Sequence, residues 1–541
     1  MIHQTNYPVT WRVVQLLLLG ALVLGGCRPR LALSDPAPTE TTVRAFDRVT
    51  PTRTPRLQVT HTPVVTQPPS LTTTPGATPS RTAGPALNEE VTLVTSTQIP
   101  TTTFAPVVTN NFRPQASLLG VALQGYSDSK GFDRVLELGI HWARRWEPIS
   151  WRAVEPNEGE YHWEVLADFE NELRNAHARS VEPFISIQFT PQWAQKVVPY
   201  VCGPIRSDKF QAFAIFMEQL VIRYGSSSPY GVRYWQIGNE LDIAPEEATA
   251  PDAIFGCWGD LSDPYYGGGY YAEMLKVVYP RMKAADPKAQ LVLGGLLLEC
   301  DPDNTTVGES CISDRRWNSG RYLEGVMLAG GGDFFDVVDV HSYALMRLDL
   351  PARMHSTYAW GGASGGTGFP EKVAFVRRVT GKYGYASKPV VATEVALKCR
   401  EPIAVCYDIA AAFVPRVFAE AYSLNLRGLM YYHLVSDNNY YALLLSNLEP
   451  RPMFLAYRFL SNQLMNSRYE GLVTAYPGVS GHLFNQDGIR FVQIVWSSDG
   501  TDRTIAVSGN FVRVFDKFGN PIAPVNNQLV IGWSPVYIEV K

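Results

Sequence analysis

The chain lacks the sequence features of several protein classes. It has no run of lysine and arginine and a formal net charge of only -4, so no nucleic acid is expected as a partner. No Cys-x-x-Cys spacing or histidine cluster is present, so we predict no metal site. A G-x-G-x-x-G turn, which a doubly wound nucleotide-binding sheet would most often carry, is also missing. Otherwise the 541 residues, 46% of them hydrophobic, have the composition of a globular protein.

Long hydrophobic runs are scarce as well. Near the N-terminus, the apolar stretch Val13–Leu24 follows Arg12 and is too short to span a bilayer comfortably. It ends in Leu24-Gly25-Gly26-Cys27, which resembles the lipobox of bacterial lipoproteins. The resemblance implies that residues 1–27 are a lipoprotein-type signal peptide, that Cys27 is lipidated, and that the exported protein is anchored to a membrane. An ordinary signal peptide and a secreted protein are the alternative.

Six of the seven cysteines remain after Cys27, and an even number in an exported protein indicates disulfide bonds. Six cysteines allow 15 pairings. Two pairs are close in sequence and are natural local bridges, which leaves a third pair. The predicted pairs are Cys300–Cys311, Cys399–Cys406 and Cys202–Cys257.

Residues 28–112 contain little that would form a core. Threonine and proline dominate this segment, as in Thr72-Thr73-Thr74-Pro75, and such a composition tends to stay extended. We predict a disordered stalk that holds the rest of the chain away from a membrane.

Residues 113–468 alternate between strand-like and helical patterns. Eight segments are apolar on both faces, as parallel strands covered by helices require, and a helical pattern follows each of them. Eight such pairs predict an α/β fold, a (β/α)₈ TIM barrel; a doubly wound sheet is the rival. The predicted strands are Leu118–Leu123, Ile140–Trp146, Val181–Phe189, Val232–Gly238, Leu291–Leu298, Phe334–Val340, Pro389–Thr393 and Gly428–Leu434.

Residues 469–541 lose the helical period. Short alternating segments, separated by turn signals such as Asp499-Gly500, predict a small C-terminal antiparallel β domain that packs on the barrel.

Two of the predicted strands end on a glutamate, Glu240 after strand four and Glu394 after strand seven. The C-terminal ends of barrel strands form the face where barrel active sites lie. Hydrolysis of a glycosidic bond needs a proton for the leaving oxygen and a group that stabilises the oxocarbenium-like centre, and two carboxylates supply both. We therefore expect these two glutamates to face one cleft, about 5 to 5.5 Å apart if the reaction retains configuration.

Further motifs occur in a fixed order along the predicted barrel. They are Trp151–Pro156 before Gly159–Trp163, Thr190–Ala194 after strand three, and His341–Tyr343 after strand six. Together with Asn239-Glu240 and the lone Glu394, this order resembles the superfamily of retaining (β/α)₈ glycoside hydrolases called clan A, most closely families 39 and 5. The resemblance covers the predicted barrel.

The resemblance implies a role for each matching residue. Glu240 would be the acid/base and Glu394 the nucleophile that forms a glycosyl-enzyme intermediate, while Asn239 would bind the 2-hydroxyl of the sugar. Tyr343 would hold the Glu394 carboxylate, and His341 and Trp193 would line the sugar subsite.

One arginine of strand two would lower the pKa of Glu394 by its opposite charge. We assign this role to Arg145. Strand alternation sends Arg144 and Arg145 to opposite faces, so Arg144 is the alternative.

Strand eight departs from the family pattern. Many relatives carry a tryptophan at its end, but here the segment reads Met430-Tyr431-Tyr432-His433-Leu434. Tyr432 or His433 is the expected substitute in the sugar site.

We therefore expect an exported retaining glycoside hydrolase that acts on β-linked polysaccharides or oligosaccharides. It would need no cofactor, since two carboxylates suffice. The rival hypothesis is a non-catalytic surface carbohydrate-binding protein on a hydrolase-like barrel.

Overall fold

A computed structural model of the chain describes residues 115, 117–299, 301–303, 319–357, 360, 365–507 and 511–541. The predicted signal peptide with Cys27, the stalk and the Cys300–Cys311 pair lie outside these described residues. Within them, no helix is long and apolar enough to cross a membrane.

All eight predicted barrel strands are present, and a short additional strand, β7, follows the sixth. The strands are β1 (Leu119–Leu123), β2 (Trp142–Ser150), β3 (Glu182–Gln188), β4 (Tyr234–Ile237), β5 (Gln290–Leu293), β6 (Val338–Met346), β7 (Met354–Ser356), β8 (Val390–Lys398) and β9 (Gly428–Tyr432).

Eight of the nine helices of the described residues lie where a helical pattern follows a predicted strand, and only the short α2 was not predicted. They are α1 (Phe132–Glu137), α2 (Trp151–Val154), α3 (Ala167–Ala178), α4 (Phe210–Tyr224), α5 (Gly268–Ala285), α6 (Tyr322–Leu328), α7 (Phe369–Lys382), α8 (Ile403–Ser423) and α9 (Pro452–Leu464).

The strands form one sheet in the order β5-β4-β3-β2-β1-β9-β8-β6-β7. Only β7 is antiparallel to its neighbour, so eight of the nine strands are parallel. Parallel bridges from Val292 to Val337 and from Leu296 to Val340 join β5 to β6 and close the ring. The predicted (β/α)₈ barrel is therefore confirmed.

Two strands extend further than their apolar runs predict. Strand β6 continues to Met346, so His341 and Tyr343 lie within the strand rather than after it. Strand β8 continues to Lys398 and places Glu394 in its middle. Both predictions ended the strand where polar residues begin, but these polar residues are buried and continue the ladder beyond a shift in register.

The barrel helices bury one face each against the strands. In α4, for example, Phe213, Phe216, Met217 and Leu220 recur at the helical period and are buried. Burying one such side chain stabilises the fold by about 1.5–3 kcal/mol, so this face holds the helix against the sheet.

A separate apolar layer fills the lower part of the lumen. It comprises Trp142, Phe184, Tyr234, Val292, Val337, Val391 and Met430. Several of these residues lie two positions before a polar residue on the same face of the same strand, such as Trp142 before Arg144 and Tyr234 before Gln236. The layer therefore closes the lumen beneath the polar residues of the site.

The C-terminal segment folds as predicted into antiparallel sheets. The strands are β10 (Arg468–Leu472), β11 (Val479–Asn485), β12 (Phe491–Ser497), β13 (Arg503–Ala506), β14 (Phe511–Phe515), β15 (Gln528–Ile531) and β16 (Val536–Val540). A five-stranded sheet has the order β10-β11-β12-β16-β14, and β13 pairs with β15. Strands β10 and β15 were not predicted. The side chains of β10 are largely exposed, and in β15 the exposed Val530 is apolar and hides the alternation of buried and exposed positions.

Aromatic side chains join this β domain to the barrel. Phe484 contacts Tyr422 on α8 with ring centroids 5.3 Å apart, and Tyr537 contacts Phe459 on α9 at 4.8 Å. One face of the β domain, with Phe484, Trp496 and Tyr537, belongs to the barrel core, while a second cluster of buried residues lies within the β domain itself.

Candidate active site

Glu240 lies in the turn that follows β4. Gly238 adopts a left-handed conformation with φ 82°, and Glu240 does so as well, with φ 51°. A side chain in this region costs roughly 1–2 kcal/mol, so the surrounding structure must hold the turn. The Gly256 amide donates a 2.8 Å hydrogen bond to the carbonyl of Asn239, which anchors the turn next to the glutamate.

Glu394 lies in β8, opposite His341 of β6. The β6–β8 ladder shifts register between Asp339 and His341, and the β8–β9 ladder does so between Ala392 and Val395. Such irregularities re-aim side chains. Here they occur beside Glu394 and His341, which both point toward Glu240.

The two glutamates form a close pair around His341. One oxygen of each carboxylate and a ring nitrogen of His341 lie within 4.8 Å of one another. His341 Nδ1 is 3.1 Å from Glu240 Oε1 and 3.6 Å from Glu394 Oε2. This spacing matches a retaining pair, whereas inverting pairs lie about 6.5–9.5 Å apart.

The arginine beside Glu394 is Arg144, and the assignment of Arg145 was wrong. The buried Arg144 donates to Glu394 Oε1 at 2.7 Å, to Asn239 Oδ1 at 2.7 Å and to Gln236 Oε1 at 2.8 Å. Strand alternation turns Arg145 outward instead, where it donates to Glu172 at 3.1 Å.

Glu394 is held in its ionised form. Burial by itself would raise the pKa of this carboxyl, but the positive charges of His341 and Arg144 and the hydrogen bonds from Tyr343 and Arg144 outweigh it and lower the pKa. The Tyr343 hydroxyl donates to Glu394 Oε2, as predicted.

The surroundings of His341 favour its protonated form. Burial by itself would lower the pKa of the imidazole, but the charge of Glu394, together with Asp339 and Glu240, raises it to about 10. Its Nε2 lies 3.2 Å from the Thr393 hydroxyl, which in turn donates to Asp339 at 2.5 Å. The ring is thereby fixed from both sides.

A buried polar layer continues below the glutamates. Asp339 accepts hydrogen bonds from the Thr393 amide at 2.9 Å and from the Gln236 side chain, so one carboxylate links β4, β6 and β8. Gln236 in turn receives Arg144 from β2. The sequence does not predict Gln236, Asp339 or Thr393 as site residues, although each lies one to four residues before a predicted one.

Two residues outside this layer also position His341. Lys372 of α7 reaches into the barrel and donates to the His341 carbonyl at 2.7 Å, and burial lowers the pKa of this lysine to about 7. Gly295 leaves room for the imidazole, since a Cβ at that position would lie 2.0 Å from His341 Nε2. A lysine and a glycine in such places give no signal in a single sequence.

The remaining predicted site residues lie at different distances from the pair. Asn239 accepts from Arg144 and adjoins Glu240. The Tyr432 ring lies edge-on to Tyr343, with centroids 6.1 Å apart, and is therefore near Glu394.

His433 and Trp193 have their closest described partners outside the glutamate pair. His433 contacts Asn439 at 3.1 Å, and burial lowers its pKa to about 4, so it is neutral. Its ring lies 6.5 Å from Trp146, a residue that the sequence analysis did not single out. Trp193 packs on Trp151 of α2 at 5.2 Å, and none of its described contacts is with the pair.

Glu240, His341 and Glu394 are also residue types that bind metals, and their ligand atoms are close enough for one cation. A metal there would have to displace the proton of an imidazole whose pKa is about 10 and lie beside the Arg144 guanidinium. The electrostatics of the cluster therefore favour a carboxylate pair over a metal centre.

Two of the three predicted disulfides are present in the described residues. Cys202–Cys257 joins the segments that follow β3 and β4, and Cys399–Cys406 joins the end of β8 to α8. Both bonds brace the face that carries the glutamates.

No protein-family model matches the chain, and no curated protein matches its sequence. Its fold is similar to those of solved glycoside hydrolases. A family 39 glycoside hydrolase from the gut symbiont Bacteroides cellulosilyticus WH2 aligns with a TM-score of 0.58 and 21% identity, over 79% of this chain and 81% of that one.

A family 39 β-xylosidase from Caulobacter crescentus aligns with a TM-score of 0.51 and 14% identity, over 80% of this chain and 98% of that one. A family 39 enzyme from Xanthomonas axonopodis pv. citri has a TM-score of 0.50 and 12% identity, over 80% and 95% of the two chains. At these identities the similarity establishes a shared fold, as the sequence motifs predict.

Proposed function

We propose that this chain is a retaining glycoside hydrolase that cleaves β-linked O-glycosidic bonds of plant or microbial polysaccharides or oligosaccharides by double displacement. The observation that carries the proposal is the Glu240–Glu394 pair, whose oxygens lie within 4.8 Å around His341. A pair at this spacing suits a covalent intermediate, because no water fits between the sugar and the nucleophile.

In the first step, Glu394 attacks the anomeric carbon while the bond from that carbon to the leaving oxygen breaks. Glu240 gives its proton to the leaving oxygen, so the aglycone departs as an alcohol. In the second step, Glu240 takes a proton from water, and the resulting hydroxide oxygen displaces Glu394. The sugar leaves with its original anomeric configuration, and both glutamates return to their starting forms.

The neighbours of Glu394 suit it to the role of nucleophile. Its lowered pKa keeps it ionised, and Arg144 and Tyr343 direct its two oxygens. His341 places a positive charge between the two carboxylates. Asn239 is held by Arg144 beside Glu240 and is available for the 2-hydroxyl of the sugar, a contact that strengthens in the transition state.

The fold also supports the proposed hydrolase function. The solved structures with this fold include a β-xylosidase, and the glutamates lie at the end of the barrel where active sites of this fold occur. The reaction as written needs no cofactor.

The nucleophile is tested with Glu394→Ala and an activated aryl β-glycoside. We expect activity to fall by several orders of magnitude and to return with azide, which gives a glycosyl azide of inverted configuration. Glu240→Ala with azide should instead give the retained glycosyl azide. Glu218→Ala, which removes a carboxylate paired with Arg281 on the helical surface, is the matched control. Full activity of Glu394→Ala without azide would refute the assignment.

The same experiment distinguishes a hydrolase from the rival function, carbohydrate binding without catalysis. A carbohydrate-binding protein would bind polysaccharide and hydrolyse none, and Glu394→Ala would leave its binding unchanged.

We also propose that the protein is exported and lipid-anchored to a bacterial membrane through Cys27. The lipobox-like Leu24-Gly25-Gly26-Cys27 supports this, as do the disulfides Cys202–Cys257 and Cys399–Cys406, which are typical of oxidising compartments. Labelling with a radioactive fatty acid should mark the wild-type chain and not Cys27→Ala. Equal labelling of both would contradict the anchor.

A further inference from the structure

Lys398, the last residue of β8, lies above the nucleophile. It follows Glu394 by four residues on the same strand, and its Nζ is 4.4 Å from the centroid of the Tyr343 ring. Tyr343 is the residue whose hydroxyl donates to Glu394. The ammonium group therefore lies over the side chain that holds the nucleophile, at the open end of the barrel.

Within the described part of the chain, the Lys398 ammonium has no hydrogen-bond acceptor and no carboxylate within ion-pair distance. Its contact is the face of the Tyr343 ring. Lys372, the other lysine near the site, has two carbonyl acceptors instead. Burial lowers the pKa of Lys398, while the charges of Glu240 and Glu394 raise it. A partly desolvated cation without an acceptor is poorly compensated, and an anionic ligand would compensate it.

The cations near the pair differ in whether a carboxylate already engages them. The buried carboxylates beside them are Glu394 and Asp339. The positive groups are Arg144, His341 and Lys398. Arg144 and His341 are already engaged with these carboxylates. Lys398 is the cation of this set that remains for the substrate.

We propose that Lys398 binds an anionic group of the substrate, so that the preferred glycoside carries a carboxylate or a sulfate on the sugar next to Glu394. This proposal rests on the proposed hydrolase function. The proposed substrate differs from a neutral pentoside, the substrate type named for the β-xylosidase from Caulobacter crescentus. A role of Lys398 in adjusting the pKa of Glu394 would not by itself explain where this lysine lies. Arg144 and Tyr343 already form hydrogen bonds with both oxygens of Glu394.

The test compares matched aryl β-glycosides that differ only in charge. The panel contains the 4-nitrophenyl β-D-glucuronide and β-D-glucoside, the corresponding galacturonide and galactoside, and the 6-sulfated glucoside and galactoside. We expect wild-type protein to prefer the charged member of a pair, and the uronide and sulfate arms tell which anion is bound. In Lys398→Met, the ratio of kcat/KM for the charged over the neutral member should fall 10- to 100-fold, the range of a lost charge-assisted hydrogen bond. Lys398→Arg should restore much of it.

Lys382→Met is the matched control, because Lys382 also lies over a tyrosine ring, at 5.4 Å from the Tyr383 centroid, but is exposed at the end of α7, on the side of the barrel away from the glutamates. It should leave the ratio unchanged. An unchanged ratio in Lys398→Met, or a wild-type preference for the neutral member of every pair, would overturn the proposal and leave the hydrolase function standing. If no glycoside or polysaccharide is hydrolysed, the hydrolase function itself fails.

Discussion

At the scale of single residues, the state of Glu394 depends on which of two adjacent arginines faces the lumen. Arg144 occupies the lumen and bonds three residues of the site, while Arg145 bonds Glu172 on the outside. The two side chains have the same charge and neighbouring positions, so they form a natural matched pair for mutagenesis.

We predict that Arg144→Gln lowers kcat/KM about 100- to 1,000-fold, as expected when charged donors are removed from a buried reacting group. Arg145→Gln should keep wild-type kcat/KM, because Glu172 retains Lys130 as a partner at 2.7 Å. Steady-state kinetics on one aryl glycoside, with circular dichroism to verify folding, measures both. Equal losses in the two variants would contradict the arrangement.

A second prediction concerns the pH profile. Tyr343→Phe removes a hydrogen bond that stabilises the ionised form of Glu394, so the pKa of this carboxyl should rise. In the proposed mechanism Glu394 acts as the nucleophile in its ionised form, above its pKa. The acid limb of kcat/KM should therefore move to higher pH, by about 1–2 units for a hydrogen bond to a charged group.

Tyr432→Phe is the control for this profile, because the Tyr432 ring contacts Tyr343 edge-on and no hydrogen bond joins its hydroxyl to Glu394 within the described residues. An acid limb that stays in place in Tyr343→Phe would show that this hydroxyl does not hold the nucleophile.

At the scale of secondary-structure elements, the close approach of β5 and β6 decides where the imidazole lies. The chain passes so near His341 at Gly295 that no side chain fits between them. Gly295 thereby leaves the space in which the imidazole lies beside both carboxylates.

We predict that Gly295→Ala lowers kcat/KM more than about 100-fold, since displacement of a catalytic group by about 1 Å has effects of that size. Gly269→Ala in α5 is the control, because its Cβ would meet only an ordinary contact at 3.7 Å. Kinetics and thermal unfolding are measured on both. A Gly295→Ala variant with normal kcat/KM would contradict the steric role.

The sequence predicts the elements better than their ends. The eight barrel strands are visible because parallel strands under helices are apolar on both faces. The ends of β6 and β8 cannot be located from the sequence in this way. Buried polar residues such as His341 and Glu394 continue the ladder there but have the sequence character of loop residues. The choice between Arg144 and Arg145 has the same origin, since a shift of one residue exchanges the two faces and only the register in the sheet decides.

At the scale of the whole molecule, the barrel and the C-terminal β domain are parts of one cooperative unit. Tyr537 of β16 is fully buried against Phe459 of α9, and Phe484 and Trp496 belong to the same core as the barrel helices. The β domain therefore supports the barrel on the flank formed by α8 and α9.

We predict that Tyr537→Ala destabilises the whole protein by about 3–5 kcal/mol, the cost of deleting a large buried aromatic ring. Denaturant unfolding should show a single transition at lower concentration, monitored both by fluorescence and by loss of activity. Leu472→Ala in β10, where the side chain is 62% exposed, should leave the transition in place. Separate transitions for the β domain and for activity would contradict a shared core.

The polar layer inside the lumen has a consequence for how this scaffold evolves. Several groups that hold Glu394 and His341, namely Arg144, Asp339 and Thr393, lie within strands, whereas the segments that follow the strands form the rim around the glutamates. In the proposed hydrolase, exchange of those segments would change the accepted sugar and leave the proposed reaction intact. Homologous barrels should therefore differ in substrate specificity before they differ in the reaction that they catalyse. Grafting of loops offers the same route to an engineered change of substrate.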